Sequence, residues 1–207
     1  MPTCSTTKRA FFVVLAVFAI LFLIPTRSDA DQGINYGWCR YPGFSTWLGS
    51  DFSNTSSIMN NDFSLITSGG KNKNLRIWIF PDGTSNINLT GTISSTFLSN
   101  VKSVVSAANS HGLSVYITFF SAWNQGDATT GNEVALWNYD INPILSELIG
   151  HYTIFGVDVM NEFDGTGSNS AFCEYVVNQV KSHYPGLFMV LFRESLTACL
   201  MILDSGF

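Results

Sequence analysis

The stretch FGVDVMNEFDG, residues 155–165, is the part of this sequence from which its fold can be argued. Its first half is apolar and rich in valine, which predicts a short buried strand, and the glycine at its end predicts a loop. Asn161 and Glu162 therefore fall where a buried strand meets solvent. Since α/β proteins place their catalytic groups at the carboxyl ends of parallel strands, Glu162 is our candidate catalytic residue.

The bulk composition indicates a packed protein whose partners are not nucleic acids. The chain has 207 residues, of which 46% are hydrophobic and 12% charged, enough for one ordinary domain or part of a larger one. The net charge is −5 and no basic stripe opposes it. The 17 Phe and 5 Trp residues can fill a core or offer flat surfaces to sugar rings, and for any single ring packing is the commoner role.

The first thirty residues have the pattern of a secretory signal peptide. Lys8 and Arg9 precede an apolar run over residues 10–24, and Ser28-Asp29-Ala30 is a small-x-small cleavage site. The run is shorter than the roughly 20 apolar residues that a membrane-spanning helix needs. We therefore expect residues 1–30 to be removed, residues 31–207 to be secreted, and no stable membrane association afterwards. A retained anchor is the alternative.

Further features agree with export. Asn54-Thr55-Ser56 and Asn88-Leu89-Thr90 are glycosylation sequons. Cys39, Cys173 and Cys199 remain after cleavage, an odd number that allows one disulfide and one free thiol. The sequence has no CxxC pair, no histidine cluster and no glycine-rich phosphate loop after its first strand, so we expect neither a metal nor a cofactor.

Predicted strands and helices alternate along the chain, which is typical of an α/β fold with a parallel sheet. A (β/α)8 TIM barrel needs about 250 residues, so residues 31–207 have room for about its first five βα units. The predicted strands cover residues 33–38, 75–80, 113–120, 155–162 and 187–192, and the predicted helices cover residues 51–67, 93–110, 133–149 (broken near 142–143) and 169–183.

Three polar side chains are candidates for chemistry. Glu162 is a catalytic acid, a helper at the start of the next helix, or an ion-pair partner. Asn161 has an amide that can both donate to and accept from a substrate hydroxyl, although it can equally be an ordinary loop-entry residue. Alternation along the second strand places Arg76 on the same face as Trp78 and Phe80. A buried guanidinium there needs a carboxylate, and Asp158 would complete a purely structural ion pair.

Aromatic and amide side chains lie at the ends of two other predicted strands. Trp123 and Asn124 follow the third strand, and Tyr36 and Trp38 lie in the last part of the first. Each has packing as its commoner role. Together at one rim they would suit a sugar-binding groove, in which ring faces stack on sugars and polar groups bind the hydroxyls. We predict that Tyr36, Trp123, Asn124, Asn161 and Arg76 bind substrate.

These residues resemble a known family. The sequence Leu75-Arg76-Ile77-Trp78 in the second strand, Trp123-Asn124 after the third and Asn161-Glu162 after the fourth are similar to glycoside hydrolase family 5, which includes endo-β-mannanases and cellulases. The resemblance implies a (β/α)8 barrel that hydrolyses β-1,4 bonds in cell-wall polysaccharide with retention of configuration. It also implies that Glu162 is the general acid/base, that Asn161 binds the hydroxyl next to the reacting carbon, and that Arg76 supports the nucleophile. Mannan is the substrate we favour.

The sequence departs from this family after residue 193. Retaining enzymes need two carboxyl groups about 5 Å apart, and the family takes its nucleophile from the seventh strand. Glu194 comes too early for that part, and residues 194–207 do not resemble family sequence. We therefore expect a C-terminally truncated chain with little activity. The alternative function is a secreted carbohydrate-binding protein without catalysis.

Overall fold

A computed structural model describes residues 32–37, 47–70, 72–121, 126–163 and 169–190. These residues belong to the compact unit of the chain that begins at Gln32. The predicted signal peptide, Cys39, Cys199 and residues 194–207 lie outside the described residues.

Five parallel strands alternate with helices, which confirms the predicted α/β class and the first five units of a barrel-type fold. The strands lie in the order β1-β2-β3-β4-β5, so each pairs with its neighbours in sequence. No described helix is both long and apolar enough to cross a membrane. The strands are β1 (Gln32–Asn35), β2 (Asn72–Phe80), β3 (Ser114–Ser121), β4 (Ile154–Asn161) and β5 (Phe188–Val190), and the helices are α1 (Phe52–Ser68), α2 (Ser95–Ser110), α3 (Glu133–Leu136), α4 (Asn142–Leu148) and α5 (Asn169–His183).

Strand register separates the two faces of the sheet. Ile77, Ile117 and Val157 pair across β2, β3 and β4, and all three are fully buried in the hydrophobic core. Successive side chains of a strand point to opposite faces, so the neighbouring positions lie on the other face. There Trp78, Thr118 and Asp158 pair in register, and this second face carries the polar groups.

Helix α1 buries Thr55, Met59 and Phe63, which are spaced four residues apart. One predicted side-chain placement, that of Phe80, differs from the structure. Phe80, expected on the face of Arg76, stacks on Phe97 of α2 with the ring centroids 5.6 Å apart. Strand alternation therefore predicts the middle of β2 better than its end.

Cys173 is a free thiol, fully buried in α5. Burial raises the pKa of this thiol to about 12, so it is poorly suited to reaction as a thiolate.

The predicted break near residue 142 is a π-helical turn, Trp137–Ile141, between α3 and α4. This turn carries Asp140, a fully buried carboxyl group. Its Oδ1 accepts the backbone N–H of Asn88 at 2.9 Å, and its Oδ2 has no hydrogen-bond partner among the described residues. The backbone N–H of Ile93 donates to the carbonyl of Tyr139 at 3.0 Å, so the segment between β2 and α2 is fastened to the turn twice.

Asp140 should make stability depend on pH. Burial is the main cause that raises its pKa from 3.8 to about 7, with the Asp127 carboxylate adding to the shift. Because the native state then keeps a proton that the unfolded chain loses, the stabilisation is complete below about pH 4 and lost as the pH rises to about 7. We expect the free energy of unfolding of the wild type to fall relative to Asp140→Asn by up to about 4 kcal/mol over this range. Urea denaturation at several pH values measures it, and parallel curves for the two proteins would contradict it.

Gly156 in β4 lies where two aromatic rings close over the sheet. A Cβ atom at this position would lie 2.8 Å from the carbonyl oxygen of Phe188, 3.0 Å from the ring of Phe188 and 3.1 Å from the ring of Tyr116. The absence of a side chain lets these rings pack beside the backbone of β4.

Gly156→Ala should therefore destabilise the sheet. The carbonyl oxygen belongs to the paired strand β5 and cannot move without disturbing the pairing, so we expect a loss of about 1–3 kcal/mol in urea denaturation. The matched control is Gly69→Ala, since Gly69 has a right-handed backbone and no atom within 4 Å of an added Cβ. Equal effects of the two substitutions would show that crowding at Gly156 is not the cause.

Candidate active site

The candidate site lies at the carboxyl end of β4. Asn161 is the last residue of this strand, pairs with Ser121 at the end of β3 and is buried. Glu162 follows it directly, is half-buried and has a φ of 55°. This left-handed conformation is uncommon for residues other than glycine and costs on the order of 1 kcal/mol or more, so surrounding contacts must hold it.

The guanidinium group of Arg76 joins this strand end to the middle of the sheet. Its Nη2 donates to Oδ2 of Asp158 at 2.6 Å, and its Nη1 donates to Oδ1 of Asn161 at 2.8 Å. Its Nε donates to the hydroxyl of Thr118 at 2.7 Å. Because β3 lies between β2 and β4, the side chain of Arg76 crosses a whole strand to make these bonds.

Within the described part of the chain, the hydrogen bonds of Asp158 all come from donors. The hydroxyl of Thr118 donates to Oδ2 at 3.4 Å, and the backbone N–H of Met160 donates to Oδ1 at 3.3 Å. Asp158 is fully buried, and burial raises the pKa of its carboxyl group to about 7 against the opposing effects of Arg76, Met160 and Thr118. Contacts with donors alone suit an ionised acceptor.

Two aromatic rings flank the guanidinium. The Cζ atom of Arg76 lies 5.5 Å from the ring centroid of Trp78 and 5.8 Å from that of Tyr116. Both distances fall within the range of cation–π attraction. Burial also raises the pKa of the Tyr116 hydroxyl, which has no hydrogen-bond partner in the described part of the chain. The planar cation is thus fixed at its edges by hydrogen bonds and at its sides by rings.

The structure brings Arg76 and Asn161 together, next to Glu162, as the sequence predicted for one site. It also contains the Arg76–Asp158 ion pair that was the structural alternative for Arg76. The described contacts of this guanidinium are to protein groups, and its predicted part in substrate binding stays a prediction. Asp158 belongs to the site as the partner of Arg76.

Tyr36 is placed away from this cluster. Its hydroxyl donates to Oδ2 of Asp62 in α1 at 2.7 Å, and its ring makes edge contacts with Trp47 and Phe63. These contacts are those of the packing alternative weighed for this residue, and its predicted part in substrate binding stays a prediction. Trp123 and Asn124 lie outside the described residues, and their predicted role stays a prediction.

Sequence reasoning missed Thr118 and Tyr116. On β3, Thr118 pairs with Asp158 and Tyr116 pairs with Gly156 of β4. Tyr116 also pairs with Arg76 of β2, so the alternation of side chains along β3 would have placed both residues on the face of Arg76. Among the described residues, no cluster of His, Cys, Asp or Glu is arranged to hold a metal ion.

The parallel strands follow one another in sequence order, and polar groups gather at the carboxyl end of β4. These features define an α/β protein of the barrel type, a class whose sites lie at the carboxyl ends of the strands. The model of the family described as "Cellulase (glycosyl hydrolase family 5)" matches residues 31–187. The chain therefore belongs to that family. A comparison with proteins of curated function found no match.

Solved structures share the fold at low identity. A β-mannanase from the blue mussel Mytilus edulis superposes with a TM-score of 0.63 at 17% identity, over 77% of this chain and 57% of its own. A β-1,4-mannanase from the sea hare Aplysia kurodai gives 0.59 at 17% identity, over 77% and 58%. A GH5_18 protein from Streptomyces cattleya, in complex with Manβ1-4GlcNAc, gives 0.58 at 12% identity, over 76% and 43%. The chain thus spans little more than half the length of the two mannanases.

Arg76→Lys tests whether the fork of the guanidinium holds the site. A lysine keeps the charge, but it cannot reach Asp158, Asn161 and Thr118 with three fixed donors. We expect a loss of about 1–3 kcal/mol in urea denaturation, because Asp158 stays buried with a poorer partner. The control is Lys102→Gln, which breaks the exposed ion pair of Lys102 with Glu147 and should change stability little. An Arg76→Lys protein as stable as the wild type would contradict this role.

Proposed function

We propose that this chain carries the acid/base part of a retaining glycoside hydrolase site that acts on β-1,4-linked polysaccharide. The observation that supports this most is the bond from Arg76 to Asn161, directly before a half-buried Glu162 at the carboxyl end of a parallel strand. Membership of glycosyl hydrolase family 5 agrees with it.

In this mechanism Glu162 first donates a proton to the glycosidic oxygen as the bond to the leaving sugar breaks. It then takes a proton from the water that hydrolyses the covalent glycosyl intermediate. Asn161 binds a hydroxyl of the sugar next to the reacting carbon, so that the bond to be broken lies beside Glu162. Arg76 holds Asn161 in place from the protein side.

Retaining hydrolysis also needs a second carboxylate, about 5 Å from the first, to attack the sugar. Asp158 is poorly suited to this part, because it is fully buried and its oxygens are occupied by Arg76, Thr118 and the backbone of Met160. We therefore expect residues 31–207 on their own to bind saccharide more readily than they hydrolyse it.

A mannan-type substrate is the specific proposal. Two of the similar structures are named as β-mannanases and a third holds Manβ1-4GlcNAc, and all three share the fold of this chain. This argument is an analogy between folds, so β-1,4-glucan belongs in the same assay.

The alternative is secreted carbohydrate binding without catalysis. The ion pair of Asp158 with Arg76 favours this alternative. Among the described contacts of Arg76, Asp158 is the acid that could serve as a second catalytic carboxylate, and its pairing with Arg76 makes it unsuited to that role. Binding to insoluble mannan without release of soluble sugar would distinguish this alternative.

Glu162→Gln tests the catalytic proposal, because glutamine preserves the shape of the side chain and cannot donate the proton. If the wild type hydrolyses β-1,4-mannan or β-1,4-glucan, the variant should lose about 100-fold or more in rate and keep its saccharide affinity. Release of reducing sugar and calorimetric binding are the two measurements. Glu174→Gln, an exposed change on α5, is the control, and an equally active Glu162→Gln would exclude the role of Glu162.

We also propose that the protein is secreted and glycosylated. The N-terminal pattern supports the first point, and the second rests on two sequons with Asn54 exposed at the start of α1 and Asn88 half-exposed between β2 and α2. N-terminal sequencing of the exported protein should begin at Asp31. A first residue of Met1 would show that the apolar segment is retained.

A further inference from the structure

Asn161 has a fixed polarity in this structure. Its Oδ1 accepts a hydrogen bond from Nη1 of Arg76, and a guanidinium can only donate, so the amide oxygen must face Arg76 and the amide nitrogen must face away. Nδ2 makes no hydrogen bond with the described residues. Its N–H groups are therefore the donors that Asn161 can offer to another group on the side away from Arg76.

The polarity of Asn161 depends on the groups behind Arg76. Asp158 accepts from Nη2 of Arg76 and from the hydroxyl of Thr118, and that hydroxyl in turn accepts from Nε of Arg76. Each hydrogen bond in this group thus has one possible donor and one possible acceptor, and the carboxylate of Asp158 is the final acceptor.

We propose that Asp158 is a positioning residue that acts through Arg76 to hold Asn161 with its N–H groups outward, as donors to a hydroxyl oxygen of a bound sugar. This inference rests on the proposed function for its ligand, but the Asp158–Arg76–Asn161 linkage can be tested without any saccharide. Thr118 is the second positioning residue, because it fixes the Nε edge of the same guanidinium.

The first experiment observes Arg76 directly in the whole chain by nuclear magnetic resonance. In the wild type, the Nε–H and Nη–H₂ signals of Arg76 should be resolved and protected from exchange with water, and Arg76→Lys identifies them by their loss. Asp158→Asn and Thr118→Val, which keep the side-chain shapes, should average the Nη signals and speed their exchange. Glu147→Gln, an exposed acid-to-amide change, should leave them unaltered.

The second experiment measures binding of β-1,4-linked mannopentaose by calorimetry. Asp158→Asn should weaken binding about tenfold, since the hydrogen bond from Asn161 to the sugar is then no longer held in place. Asn161→Ala should weaken it by a similar factor. If Asp158 acts through Asn161, the double variant should bind no more weakly than Asn161→Ala alone, whereas a general loss of structure would add to it. Thermal melting shows whether each variant is folded. If Asp158→Asn does not fold, Thr118→Val replaces it in the binding experiment.

The outcomes separate the two proposals. Protected Arg76 signals in Asp158→Asn, or mannopentaose binding equal to that of the wild type, would overturn the positioning role. Loss of the Arg76 signals in Asp158→Asn, with no saccharide bound by the wild type, would support the positioning role and overturn the proposed ligand. Additive weakening in the double variant would show that Asp158 does not act through Asn161.

Discussion

The interaction on which this structure depends is the ion pair between Arg76 and Asp158, made across the intervening strand β3. A charge on the face of a sheet is costly to bury, and removing either partner would leave the other uncompensated. The register of β2, β3 and β4 brings the two partners together, and Thr118 and Asn161 accept two further hydrogen bonds from the guanidinium. It links the order of the strands to the geometry at the end of β4.

The two faces of the sheet serve different purposes. The face with Ile77, Ile117 and Val157 is packed into the hydrophobic core, and this burial is the main source of stability. The opposite face uses rings and hydrogen bonds to hold one cation, with Trp78 and Tyr116 at its sides. Gly156 on β4 leaves room for the ring of Tyr116 from β3 and the ring of Phe188 from β5. The apolar face thus supplies most of the buried hydrophobic area, and the polar face holds Asn161 in place.

The left-handed backbone at Glu162 has a physical explanation in this arrangement. Asn161 is tied inward through Arg76, and the chain must leave β4 at the next residue. An uncommon conformation persists only where its surroundings impose it, and such conformations concentrate at functional sites. That agreement between local strain and a candidate acid argues for function more strongly than the residue type does. The buried Asp140, on the π turn Trp137–Ile141, is a separate case in which a buried carboxyl group fastens a loop.

The sequence by itself determined the alternation of strands and helices, the parallel class and the location of Asn161-Glu162 at a strand end, because these follow from local periodicity and turn residues. It also limited the partner of Arg76 to a carboxylate, with Asp158 as one choice. Only the tertiary structure decided that Asp158 is that partner, that Thr118 and Tyr116 complete the group, and that Tyr36 turns toward Asp62 in α1. The physical reason is that hydrogen bonds between strands depend on register and reach across the sheet, whereas a sequence pattern fixes only the face of its own strand.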